Sequence, residues 1–309
     1  MPALRSGQEL ESARNLMAHT VNHILGLHRR ISLIESIFAC QCSEALRKVY
    51  PAWPWANGRR YSERPVSWNV FASHDLPMPP IPESYLPEPI DPATLPGWLG
   101  WSLPFFSAPV LQNPHVDMTL QLDVTNAFAQ YRGLSPQGGQ ASFFAFLVWH
   151  LAQTLAQHPS FNLRCVDGYW YVLHNPPIFI PVAVGGDVRF RDLVLENVYQ
   201  QDWPTFLQNY QHLLALARSP EGLPPCTSEA FCLAHFMGNL PNLRFSGLTL
   251  HWRSDQSLGQ SSFYFGQRYA EGERTLIPLA VRMHHSCTDP FVLNGLIADF
   301  QRRFALRAG

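Results

Sequence analysis

Close to the C-terminus the chain reads Met283-His284-His285-Ser286-Cys287-Thr288-Asp289-Pro290, a pair of histidines with an aspartate four residues after the second. Imidazole ionises near neutrality, so a histidine held here can take a proton from a hydroxyl, amine or thiol and hand it back. That work needs a ring fixed by rigid elements. The upstream run Leu276-Ile277-Pro278-Leu279-Ala280-Val281-Arg282-Met283 is short and mostly apolar, which predicts a strand buried on both faces. Downstream, Val292, Leu293, Leu296, Ile297, Phe300 and Phe304 recur at helical spacing and form one apolar stripe. Asp289 falls at that helix's N-cap and Pro290 at its first helical position. The histidines therefore occupy a junction between strand and helix. His284 alternates to the other side of the strand terminus and reads as a packing or orienting residue.

Earlier segments supply further elements. Tyr269-Ala270-Glu271-Gly272-Glu273-Arg274 is a charged turn leading into the Leu276 strand. Asp117 to Val124 alternates polar and apolar residues with period two, as a half-buried strand does, and Thr125-Asn126 reads as a polar stop. Ala141 to Leu151 begins a helix that is apolar nearly all round. Phe161 to Arg164, then Asp167 to Leu173, read as strand, turn and strand.

The His-His-x-x-x-Asp pattern in this succession of elements resembles the chloramphenicol acetyltransferase superfamily, which includes dihydrolipoyl acyltransferase cores and the condensation domains of nonribosomal peptide synthetases. The likeness covers roughly residues 95–309 and is clearest over 115–185 and 241–304. It implies an α/β (α+β sandwich) fold, a mixed β-sheet flanked by helices. It also implies His285 as the general base and Asp289 as a structural aspartate that pairs with an arginine and holds the loop. By the same resemblance the protein is a homotrimer with active sites between subunits, the histidine coming from one and much of the acceptor pocket from the next.

Four positions depart from the superfamily pattern. The glycine that follows the motif aspartate is Pro290 here, which fixes φ and removes an amide donor. The oxyanion-stabilising serine, which the superfamily carries on a strand before the charged hairpin, corresponds to Arg244 within Leu240-Pro241-Asn242-Leu243-Arg244-Phe245-Ser246-Gly247, with Ser246 two residues on along the same expected strand. Either Arg244 or Ser246 serves the oxyanion, or that task falls to backbone amides. Tyr264 stands where the drug-modifying enzymes carry a threonine. No arginine lies between Gly97 and Val116 to pair with Asp289, and Arg244 or another arginine would have to take that place.

Blander readings of the same residues exist. His285 can be a buried histidine bonded to backbone, and Asp289 an N-cap carboxylate with no catalytic part. Cys287, beside two histidines and an aspartate, raises a Cys-His nucleophile or a metal-dependent hydrolase, but the spacing matches no usual zinc site and a buried inert thiol fits better. No metal is expected. His150 and His158 read as structural or surface residues.

Composition bounds the rest. The net charge of −1 over 309 residues leaves no basic footprint for nucleic acid, and 46% hydrophobic residues suffice for a packed core. No run of eighteen apolar residues suggests a membrane span. The six cysteines form no Cys-x-x-Cys pair and the first residues open no hydrophobic leader, which points to a cytoplasmic location. Residues 1–50 show helical periodicity. From Pro51 to Pro114 the chain holds about half of its 27 prolines, so this stretch should form neither regular helix nor central strand, and with its many Trp and Phe an arm over 51–94 should be ordered and extended. It would pack over the main domain (95–309) or a neighbouring subunit.

The expected function is transfer of an acyl group from a coenzyme A or acyl-carrier-protein thioester to a hydroxyl or amine of a small acceptor, in biosynthesis of a specialised metabolite. No tightly bound cofactor is expected. The alternative is a catalytically lapsed binding or assembly subunit of the same fold, which Arg244, Tyr264 and Pro290 favour.

Overall fold

The computed structural model describes residues 81–107, 114–134, 141–250 and 257–305, so the helical segment expected over 1–50 and the arm before Ile81 lie outside the described residues. A large mixed sheet is built around β11 (Arg274–His284), which pairs antiparallel with β2 (His115–Asp123) from Leu276 to His284. It also pairs with β10 (Tyr269–Glu271) at its start and with β9 (Ser262–Phe265) further along. The sheet continues through β7 (His235–Asn239), β5 (Ile178–Gly185) and β6 (Arg189–Leu195). The β9–β7 and β7–β5 pairs are parallel and the rest antiparallel.

Alternation along β11 sorts its side chains. Ile277, Leu279, Val281 and Met283 enter the main core with Met237, Phe263, Phe265, Ile178, Ile180, Leu193 and Leu195. Four helices cover that core. They are α2 (Thr125–Leu134), α3 (Phe143–Leu155), α4 (Trp203–Arg218) and α6 (Pro290–Arg302). The near-continuous apolar surface expected of α3 is seen in the burial of Phe144 to Val148, Leu151, Ala152 and Leu155. Its N-cap Ser142 accepts a bond from the Ala145 amide.

A second, smaller sheet carries the order β1 (Pro87–Ile90), β4 (Tyr169–Leu173), β3 (Leu163–Val166) and β8 (Ser257–Leu258). β3 and β4 are joined through Asp167 and Gly168, both at positive φ. The fully buried Arg164 ties this sheet to its surroundings, its guanidinium donating to the carbonyls of Phe161, Leu163, Leu233 and Gly259. Between the sheets, Asn162 Oδ1 is shared by the Tyr199 hydroxyl and the His235 ring. The short helix α5 (Ser228–Leu233) leads into β7.

The polar stop at Thr125-Asn126 ends β2, which stops at Asp123, and it also opens α2, where Asp123 Oδ1 receives both the amide and the hydroxyl of Thr125. Two local expectations are corrected. Leu240 to Gly247 is not a strand: β7 stops at Asn239 and a turn follows. Pro241 has no amide to continue the ladder. The proline-rich stretch does contain a helix, α1 (Gly97–Phe106), with Pro104 inside it. Pro104 sits in the last turn, so its missing amide removes only one intrahelical bond. The rule for strands does hold, since β1, with Pro87 and Pro89, is an edge strand of its sheet.

Candidate active site

β11 ends at His284, and the turn His285 to Thr288 carries the chain into α6. Inside that turn the amides of Cys287 and Thr288 and the Thr288 hydroxyl all donate to the His284 carbonyl. Asp289 is the N-cap, its Oδ1 receiving the Val292 amide at 2.7 Å, and Pro290 is the first helical residue. The sequence-based placement of strand, aspartate and proline is thus the observed one.

His285 is half-buried at the head of the turn. Its amide donates to the Pro114 carbonyl at 2.7 Å, and its Nδ1 lies 3.3 Å from the Thr288 carbonyl oxygen. A carbonyl only accepts, so this contact places the proton on Nδ1 and leaves the Nε2 lone pair available. The ring lies nearly parallel to Phe106, with centroids 4.1 Å apart, and Trp98 is 6.3 Å away.

His284 is buried and turned to the opposite side. Its Nδ1 accepts from the Ser286 amide, which places its own proton on Nε2, and among the described residues Nε2 has no hydrogen-bond partner. Burial lowers its pKa to about 3, and nearby His115, His285 and Arg282 add to the effect. It stays neutral and serves packing, edge-on to His115 at 5.1 Å. Two pairs along the ladder, Arg282 bonds Asp117 at 3.2 Å. Sequence reading missed this pair, although the strand register would have placed it.

The remaining candidate residues do not gather at His285 within the chain. Arg244 and Ser246 are exposed, and the Arg244 guanidinium lies over the Tyr269 ring at 3.6 Å. Tyr269 pairs with Leu276, and the run from Leu276 to His284 spans roughly 26 Å at ~3.3 Å per residue. Within one chain Arg244 therefore lies away from both the motif and Asp289. Among the described residues no cation pairs with Asp289. Tyr264 sits on β9 opposite Ala280, on the same sheet face as His284, with its ring laid over Gly238. Cys287 is buried, and burial raises its thiol pKa, so it is no nucleophile.

Sequence reading also missed α1 as part of the site. Its residues Trp98, Ser102 and Phe106 face the His285 turn, and Ser102 Oγ donates to the Ser286 carbonyl at 2.6 Å. The aromatic richness of this stretch was the available signal, but nothing in it shows which rings meet the histidine.

The chain matches the family described as chloramphenicol acetyltransferase over residues 110–301. The chain belongs to the chloramphenicol acetyltransferase family. Among curated relatives, a chloramphenicol acetyltransferase from Streptomyces acrimycini is 31% identical over 198 residues, covering 61% of this chain and 82% of the relative. A solved chloramphenicol acetyltransferase superposes with a TM-score of 0.59 at 19% identity, covering 71% of this chain and 100% of that one. The catalytic core of a 2-oxoacid dehydrogenase complex from Thermoplasma acidophilum gives 0.52 at 14% identity, covering 72% of this chain and 100% of its own. Family membership makes the chain an acyltransferase.

Proposed function

We propose that this family member transfers an acyl group from a coenzyme A or carrier-protein thioester to a hydroxyl or amine of a small acceptor in a biosynthetic pathway, with His285 as general base. The observation that carries the reading is the His285 ring itself, protonated at Nδ1 toward the Thr288 carbonyl and fixed on one face by Phe106. Nε2 removes the acceptor proton as its oxygen or nitrogen attacks the thioester carbonyl. The tetrahedral intermediate then collapses, the C–S bond breaks, and the imidazolium returns the proton to the departing sulfur. Products are the ester or amide and a free thiol, with no covalent enzyme intermediate. Asp289 holds the start of α6 and moves no proton. Trp101 and Phe105, stacked on each other and exposed, offer apolar surface near the base for the body of an acceptor.

The distance between Arg244 and His285 fits this chemistry if the site is completed by a neighbouring copy. A homotrimer, of mass near three times 35.1 kDa, would bring a second subunit's residues to Nε2. The same separation favours a second reading, a subunit of this fold that has lost catalysis.

One experiment separates them. The protein is incubated with a panel of acyl-coenzyme A and acyl-carrier thioesters and acceptors, and free thiol is measured. His285→Ala should lower the rate by about 10²–10⁴-fold with the fold and oligomer unchanged. Thiol release that survives the substitution, or that wild type never shows, would sink the base assignment or the acyltransferase reading respectively.

A further inference from the structure

The turn that carries His285 bonds mostly to itself. Its internal amides and the Thr288 hydroxyl converge on His284, and Asp289 is spent on capping α6. Among the described residues, two hydrogen bonds tie the backbone around His285 to groups outside the turn. One is the His285 amide to Pro114, and the other is Ser102 Oγ to the Ser286 carbonyl at 2.6 Å, across 184 residues of sequence.

Ser102 occupies a telling position on α1. A serine inside a helix commonly bonds back to the carbonyl four residues before it, or faces solvent. Ser102 is fully buried and its hydroxyl points out of the helix into the turn. Trp98 and Phe106 lie four residues to either side, so all three share one face of α1. Phe106 and Trp98 meet the His285 ring, while Ser102 grips the carbonyl of the next residue.

The helix is itself held firmly in place. A side chain on Gly100 would put its Cβ 2.3 Å from the Leu95 carbonyl, so α1 runs hard against the turn at Pro92–Thr94. That turn follows β1, which is zipped to β4 from Pro87↔Leu173 to Ile90↔Trp170. The chain before the helix thus fixes α1, and α1 presents Ser102 to the turn.

We infer that Ser102 is a positioning residue for the active-site histidine, its hydroxyl fixing the Ser286 carbonyl so that the His285 ring stays on Phe106 with Nε2 directed outward. Its importance for catalysis rests on His285 being the base, but its action on the histidine can be measured without any acyl transfer.

The test follows carbethoxylation of His285 by diethyl pyrocarbonate between pH 5.5 and 8, quantified by mass of the peptide that carries it and assigned by its loss in His285→Ala. Ser102→Ala should raise the His285 labelling rate about tenfold, the opening allowed by losing one buried hydrogen bond. It should also move the midpoint of the labelling pH profile, because the turn that sets the Thr288 carbonyl against Nδ1 is loosened. Ser102→Thr, which keeps the hydroxyl, should return both toward wild type. If Ser102→Ala fails to fold, Ser102→Cys, close in size with a weak donor, takes its place with the same expectation. A folded Ala or Cys variant with wild-type labelling rate and midpoint overturns the inference. A response at His285 without thiol release from any thioester would sink the acyl-transfer reading and leave the role of Ser102 standing; thiol release with an unresponsive His285 would do the reverse.

Discussion

The use of Asp289 as a helix cap makes a quantitative prediction that an ion-paired aspartate would not. Its carboxylate accepts the Val292 amide at 2.7 Å, and no described cation pairs with it. Replacing such a cap by alanine costs about 1 kcal/mol, within a range of about 0.5–2. Asparagine caps nearly as well and forfeits only the favourable interaction with the helix dipole, about 0.3–1 kcal/mol. With an unfolding entropy of about 2.1 cal/mol/K per residue, a 309-residue chain loses about 1.5 °C of Tm for each kcal/mol. Asp289→Ala should therefore melt about 1–3 °C lower, and Asp289→Asn within about 1.5 °C of wild type.

The consequence for activity follows from the neighbouring residue. Thr288, whose carbonyl holds His285 Nδ1, directly precedes the cap. If the whole cap energy were felt at that contact, 1 kcal/mol would correspond to about fivefold in rate. Asp289→Ala should thus lose no more than about thirtyfold in kcat/KM, and Asp289→Asn about fivefold or less. Calorimetry and the thiol-release assay on the two variants check both figures. An Asp289→Asn protein that melts like wild type yet loses two orders of magnitude would refute the argument, because only the negative charge has then been removed.

Two further outcomes follow. Gly238→Ala would place a methyl 2.1 Å from the Tyr264 ring, so it should destabilise by about 1–3 kcal/mol in urea titration, and Tyr264→Ala should relieve most of that in the double variant. His235 and His284 are buried and His150 is half-buried, all three with pKa values pushed below the usual 6.5 by desolvation, to about 3 for His150 and His284. The unfolded chain binds these protons and the folded one does not, so their stabilising effect is complete above about pH 6.5 and is lost as pH falls from there toward 3. Each contributes up to about 1.4 kcal/mol per pH unit, so stability measured by denaturant should drop steeply below pH 6. His284→Gln should make that slope shallower, and a flat profile between pH 6.5 and 4.5 would contradict the burial of these rings.

The strand, turn, cap and helix around His285 were legible because local chemistry dictates them. A run apolar on both faces makes β11, Asp289 before Pro290 makes an N-cap, and the stripe through Leu293, Leu296 and Phe300 makes the buried side of α6. Resemblance added the fold and the acyltransferase class. Much of what was not legible depends on which distant groups meet. Arg244 was placed by order along the chain; β7 stops at Asn239 before Pro241, and within one chain the arginine lies on the Tyr269 ring. Ser102 carried no signal as a lone serine among Trp, Leu and Phe. Its significance comes from α1 lying against the turn, an arrangement set by Gly100 at Leu95 and by the pairing of β1 with β4. Proline content argued against a helix there, and propensity alone still does. The helix forms because its Trp98, Ser102 and Phe106 face is used, which makes the tertiary contact with His285 part of the reason the secondary structure exists.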